Sequence, residues 1–199
     1  MHLVFDIFQG IGVAAAVGIR PFLPALAAGA LAAGDVEIHF DHTDYSFLQS
    51  APFLLAVAVA AVVLLVLERR VTSGAAPGAE GSPLAWLLAA AAVALGALFF
   101  AGSLCRGGYA VWPGYIGGVI CALIAIAATR PLLARVRTRL DASAVGALPL
   151  FTEAAAVLLA ALSIVAPPVG PIALALLLWL LFAGRRREGQ KYAGLRILR

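Results

Sequence analysis

Six stretches of this chain, each roughly 20 residues or more, are built almost wholly from Ala, Leu, Val, Ile, Phe and Gly. A helix rises about 1.5 Å per residue, so ~20 apolar residues cross the ~30 Å hydrocarbon core of a bilayer. The runs are continuous and lack the short alternating segments of a membrane β-barrel. No water satisfies a lipid-exposed backbone, and a helix closes its own hydrogen bonds. The sequence therefore predicts an all-α integral membrane protein with about six transmembrane helices. Only 12% of its residues are charged and 63% are hydrophobic, against about 25% charged in a typical soluble domain.

The apolar runs cover residues 3–33, 47–67, 83–104, 110–129, 145–166 and 168–184. The first would reach about 47 Å as one helix, too long for a straight crossing and too short for two. Pro21 and Pro24 interrupt it, and proline removes a donor and clashes with the preceding turn. One long kinked helix, or a span followed by a half-helix, both fit.

Basic residues set the expected orientation. Arg69 and Arg70 mark one loop, and Arg130, Arg135, Arg137 and Arg139 a second. Arg185, Arg186, Arg187, Lys191, Arg196 and Arg199 mark the tail. Placing all three on the cytoplasmic side of a bacterial-type inner membrane requires six crossings, with both termini inside. Twelve of the 14 basic residues then lie at or beyond cytoplasmic helix ends. The loop from Asp35 to Tyr45, with four acids and no Lys or Arg, falls outside. The basic balance is thus explained by orientation and by anionic lipid heads, and nucleic acid is not an expected partner. Asp6, near the inner interface, reads as an interfacial residue. Together with the absence of basic residues before the apolar run, it argues against a cleaved signal peptide. Cys105 and Cys121 have no metal spacing, so neither a disulfide nor a zinc site is expected.

The halves resemble each other. Arg20-Pro21 and Arg130-Pro131 each follow an Ala-rich run. Phe47-Leu48-Gln49 and Phe151-Thr152-Glu153 open a later helix, and Phe100-Ala101-Gly102 and Phe182-Ala183-Gly184 close each half. Residues 1–104 and 105–199 are then expected to be two inverted three-helix repeats within one membrane domain. The first helix of each would be kinked or broken at Arg-Pro, with Pro21, Pro24 and Pro131 as the breaks. Inverted repeats with broken helices recur in secondary transporters, where the substrate sits near the midplane.

Gly18-Ile19-Arg20-Pro21-Phe22-Leu23-Pro24, followed by a Gly/Ala-rich stretch, resembles the start of a bacterial and plastid membrane family, domain of unknown function 4126. Residues 47–56, Phe-Leu-Gln-Ser-Ala-Pro-Phe-Leu-Leu-Ala, resemble its second helix. Leu150-Phe151-Thr152-Glu153 resembles its acidic position in the second half. The likeness covers most of the chain and is most specific over the first 60 or so residues. It implies a polytopic membrane protein and brings no activity with it.

Charges inside apolar runs are the natural functional candidates, since each costs at least ~2.5–3.5 kcal/mol at a helix centre. Arg20, beside a helix break, suits an anionic group held by a forked pair of hydrogen bonds. It also suits a plainer role, satisfying carbonyls at the kink or snorkelling to an interface. Glu153 is a candidate proton site, or an ion-pair partner of Arg20 that merely locks helices together. Gln49 and Arg130, their repeat counterparts, complete the expected substrate-binding set, with Arg130 fitting a simple topology role as well. His39, Asp41 and His42 have the atoms for a divalent ion, but no spacing signature, and a solvated acidic turn explains them. Tyr45, Trp86, Trp112 and Tyr115 read as interfacial anchors. Gly114, Gly117 and Gly118 read as close-packing positions.

No nucleophile elbow, phosphate loop, dinucleotide fingerprint or paired-histidine motif is present, so no enzyme activity and no cofactor are expected. The sequence points to a small secondary transporter or flippase-like carrier for an anionic small molecule or lipid headgroup. A homodimer could frame its pathway. The alternatives are a non-transporting scaffold or assembly factor packing through Gly/Ala faces and, more weakly, a channel.

Overall fold

A computed structural model describes residues 2–38, 40–72 and 83–193. The described residues form seven helices and no strand. They are α1 (His2–Ile19), α2 (Phe22–Ala33), α3 (Ala51–Thr72), α4 (Pro83–Arg106), α5 (Trp112–Arg137), α6 (Ala142–Val165) and α7 (Val169–Ala193). A single 3-10 turn, Ser46–Gln49, precedes α3. Three helices, over Leu84–Arg106, Trp112–Arg137 and Ala144–Val165, are long and apolar enough to cross a membrane. The other four carry shorter apolar stretches.

The first apolar run is cut once, at Arg20-Pro21. A proline disfavours helical geometry in the residue before it, and α1 accordingly stops at Ile19. The Arg20 amide still reaches the Ala16 carbonyl at 3.1 Å. Pro24 does not break the chain as expected. It lies in the first turn of α2, where backbone N–H groups have no helical partner to lose. Nor does Pro131, because α5 runs through it to Arg137. Packing of α4, α1 and α7 along the length of α5 offsets the one hydrogen bond that proline removes.

Contacts fix where the first run goes. Arg106, at the end of α4, donates to Asp6 and to Gln9 in α1. The same guanidinium donates to the Glu37 carbonyl, four residues past α2, at 2.7 Å. Both ends of the α1–α2 segment therefore lie at one end of the bundle. Between them, Arg20 sits beside Thr152, midway along α6. Over ~27 Å α1 descends, and over ~18 Å α2 climbs back. The first run is therefore neither one kinked helix nor a straight span, but a hairpin that turns at Arg20-Pro21 within the bundle. The start of α1 and the end of α7 consequently point to opposite ends of the bundle.

Around this hairpin, α1 runs antiparallel to α4 and α6 and parallel to α5 and α7. Gln9 meets Ile164 near the end of α6, whereas Arg20 meets Thr152. Gly18 abuts Ala122 and Ala125 of α5, and Gly12 abuts Gly170 of α7. A β-carbon on Gly12 would stand 2.1 Å from Ser163 Oγ and 2.9 Å from Gly170 Cα. Only glycine allows three helices to meet so closely. Ala14, Ala15, Ala16 and Val17 are fully buried, so the second half of α1, apolar on every side, lies in the core of the protein. Gly114, Gly117 and Gly118 of α5 face α4 at comparable range. Helices α1 and α5, matched by their Arg-Pro ends, run in the same direction, whereas α3 opposes α6 and α4 opposes α7.

The acidic loop is folded rather than merely solvated. Ile38, Phe40, Tyr45 and Leu48 are buried in it, and Phe40 packs edge-on against Phe99 of α4. Gln49 Oε1 accepts from the Phe40 amide at 2.7 Å, and its Nε2 donates to Asp41 at 2.6 Å. Tyr45, expected at the interface, is instead 6% exposed, and its hydroxyl shares a hydrogen bond with that of Tyr115. At the other end of the bundle stand Arg130, Arg135, Arg137 and Arg139, so the two ends have opposite charge character.

The hairpin topology predicts side-specific labelling. In a Cys105→Ala background, Leu3→Cys and Asp44→Cys are expected to react with an impermeant thiol reagent from the same face of sealed vesicles. Thr138→Cys should react from the other face. Joint labelling of positions 3 and 138 would refute the hairpin.

Burial and the Tyr115 hydroxyl both raise the Tyr45 pKa above its ordinary value of 10.0. A raised folded-state value stabilises the neutral form, so this stability is present below pH 10 and is lost as pH rises beyond it. Phenolate absorbance should show one tyrosine ionising later than the rest, and Tyr45→Phe should remove that late step.

Candidate functional site

Two arginine clusters hold the α1–α2 hairpin, one at its tip and one at its base. At the tip, the proline break frees Arg20 from helical geometry and turns it towards α6. Arg20 Nε donates to Thr152 Oγ1 at 3.1 Å and lies 3.7 Å from Glu153 Oε1. Thr152 Oγ1 donates in turn to the Pro149 carbonyl at 2.8 Å. With its proton committed there, the hydroxyl presents a lone pair to the guanidinium. The side chains of Arg20 and Glu153 are only 10% and 5% exposed, so in an apolar bundle each charge is tolerable chiefly through the other.

The arrangement has definite chemical capacities. A guanidinium carries five donors in a planar fork and keeps its charge at any working pH. The carboxylate beside it is the group that can change charge. A carboxylate or phosphate has the geometry to match such a fork.

At the base, Arg106 joins α4 to Asp6 and Gln9 of α1 and to the acidic loop. Gln9 Nε2 continues the network to the Ile164 carbonyl of α6 at 2.9 Å. Asp6 is 2% exposed, which corrects its reading as an interfacial residue. The base lies ~21 Å from the tip along α1.

Of the expected binding set, Arg20 and Glu153 come together and the other two members stay apart from them. Gln49 clasps the loop at the acidic end. Arg130 Nη2 donates to the Ala85 carbonyl of α4 at 3.0 Å, tying two helices at the basic end. His39 lies outside the described residues, and Asp41 is engaged by Gln49. Among the described residues no three His, Cys, Asp or Glu side chains gather as a metal would require. Sequence reasoning missed Arg106, Gln9 and Thr152. Its available signal was that Arg106 and Arg20 are the two basic residues left over once the basic loops and tail are assigned.

Removing one member of a buried charge pair leaves the other uncompensated. Arg106→Ala is expected to cost on the order of 3 kcal/mol of fold stability. The double variant Asp6→Asn/Arg106→Gln should lose less than its two single changes added together, measured by thermal unfolding in detergent. Strict additivity would mean that the pair does not act as a unit. Comparison with protein-family models, with curated proteins and with solved structures finds no match to this chain.

Proposed function

We propose that this protein is a small membrane carrier for an anionic small molecule or lipid headgroup, with Arg20 as the anion contact and Glu153 as the proton-linked competitor. The observation that carries the reading is a buried charged pair at the turn of the α1–α2 hairpin, midway along α6. Broken helices that end near the membrane interior recur where transporters bind their substrates. A residue pair this costly to bury is a functional candidate by default. In this mechanism Glu153 occupies Arg20 in the closed state. An anion that arrives with one proton displaces it, the proton neutralising Glu153 while the anion takes the guanidinium.

Orientation follows the basic residues. With the Arg130–Arg139 end in the cytoplasm of a bacterial-type inner membrane, the acidic loop and the start of α1 face the opposite side. The chain then makes five crossings after the hairpin, with its carboxyl end inside. The opposed directions of α3 and α6, and of α4 and α7, support an inverted relation for those helices. The likeness to domain of unknown function 4126 fits the same picture of a polytopic protein.

One observation favours a non-transporting scaffold instead. Arg20 and Glu153 are 8% and 4% exposed, and the hollows between α5 and α7 are lined by neither of them. In that reading the pair only locks the hairpin to α6.

The test is thermal stabilisation of the purified protein in nanodiscs by a set of anions, comprising inorganic phosphate, acetate, succinate and glycerol 3-phosphate. A ligand that binds only the folded state must raise its melting temperature. At least one anion is expected to stabilise the protein, more strongly in Glu153→Gln and not at all in Arg20→Gln. If no anion moves either the native protein or Glu153→Gln, and both variants merely melt earlier, the scaffold reading replaces the carrier.

A further inference from the structure

A groove between α5 and α7 opens at the basic end of the bundle, away from the Arg20 pair. Its apolar part is lined by Ala127, Leu132, Leu180 and Leu181, and Arg135 borders it. The depression continues over Leu132 and Val136 to Arg139. Arg135, in the last turn of α5, and Arg139, two residues past its end, both border this depression. The Arg135 guanidinium lies over Gly184 of α7, within van der Waals range of where a β-carbon would stand. Arg130 is turned to α4 instead, where it holds the Ala85 carbonyl.

Polarity runs one way along this groove. Over the ~12 Å from Ala127 to Arg135, and on to Arg139 in the turn that follows α5, the lining passes from methyl groups to guanidinium groups at the end of the bundle. Between residues 130 and 141 the sequence places four arginines against a single carboxylate, Asp141. A phospholipid in the leaflet on that side has the same gradient in the same direction, with its tail towards the midplane and its phosphate at the surface. Basic pockets between membrane helices on the positively charged side suit anionic headgroups, and two guanidinium groups can share one phosphate through charge-assisted hydrogen bonds. A zwitterionic lipid supplies an equivalent tail, but its phosphate charge is offset by its own cation.

We propose that the α5–α7 groove binds one anionic glycerophospholipid from the basic-side leaflet. Its acyl chain lies along Ala127 and Leu181, and its phosphate sits at Arg135 and Arg139. The site is separate from the Arg20 pair and stands whether or not the protein is a carrier.

The experiment compares phosphatidylglycerol, phosphatidylcholine with identical chains, and inorganic phosphate. Each is added to the delipidated full chain in detergent and followed by thermal unfolding and native mass spectrometry. Phosphatidylglycerol is expected to raise the melting temperature and to remain bound as one copy, while the other two do neither. Arg135→Gln/Arg139→Gln should abolish this preference. Ala127→Trp, which fills an exposed apolar position and leaves both arginines in place, should weaken phosphatidylglycerol binding by about tenfold, equivalent to ~1.4 kcal/mol. Equal stabilisation by the two lipids would overturn the proposal in favour of general lipid solvation. A full effect from inorganic phosphate alone would overturn it in favour of a simple anion site. Preference surviving the double substitution would place the headgroup elsewhere. Should the double variant fail to fold, the three-ligand comparison on the native chain and Ala127→Trp still decide.

Discussion

An arginine in hydrocarbon must bring its own counter-charge, and the α1–α2 hairpin is fixed at both ends by that requirement. At the base, Arg106 gathers Asp6, Gln9 and the Glu37 carbonyl. At the tip, Arg20 reaches Thr152 and Glu153. Neither arrangement is a surface ion pair, for Asp6 and Glu153 are both nearly inaccessible. Moving either end of the hairpin would strand a buried charge, a far larger cost than shifting an apolar contact. The remaining helices are arranged around this fixed element, with α1 touched on its several sides by α2, α4, α5, α6 and α7.

Small residues make that arrangement possible. Helices in lipid gain little from hiding apolar surface from apolar surroundings, so close backbone approach and van der Waals contact carry the association. Gly12, Gly18 and Gly170, with the alanines between them, allow α1 to be enclosed by long helices at short range. The carrier reading adds one demand to this packing. The tip must be releasable while the base holds. Arg106 engages groups on α1, the loop and, through Gln9, α6. At the tip, Arg20 engages Thr152 and Glu153 of α6.

Much of this was legible in the sequence. Apolar length located the five later helices, although α5 and α7 run on past their apolar runs to Arg137 and Ala193, and three of the five are long and apolar enough to cross a membrane. The break at Arg20-Pro21 followed from proline stereochemistry, and the pairing of Arg20 with Glu153 was one of two readings of those residues. The path of the first run was not legible. A segment of 31 residues fits a kinked crossing or a hairpin equally well by length. The charge rule could not choose between them, since it registers where basic loops lie and there is none before Arg20. The deciding fact is a contact between Asp6 and Arg106, 100 residues apart. The match of Gln49 to Glu153 did not say where either side chain would sit, for a related reason. Similar short phrases in Ala/Leu-rich chains carry no information about the end of the bundle at which a residue settles, and Gln49 went to a 3-10 turn in the acidic loop.

The shortness of α2 has a consequence for the membrane itself. All seven helices are present in cross-section on the acidic side, whereas below the tip of the hairpin only α3 to α7 continue. The bundle therefore tapers, broader at its acidic end than at its basic end. In the membrane orientation proposed above it would take up more lateral area in one leaflet than in the other, and the lipid around it would pack unequally in the two halves of the bilayer.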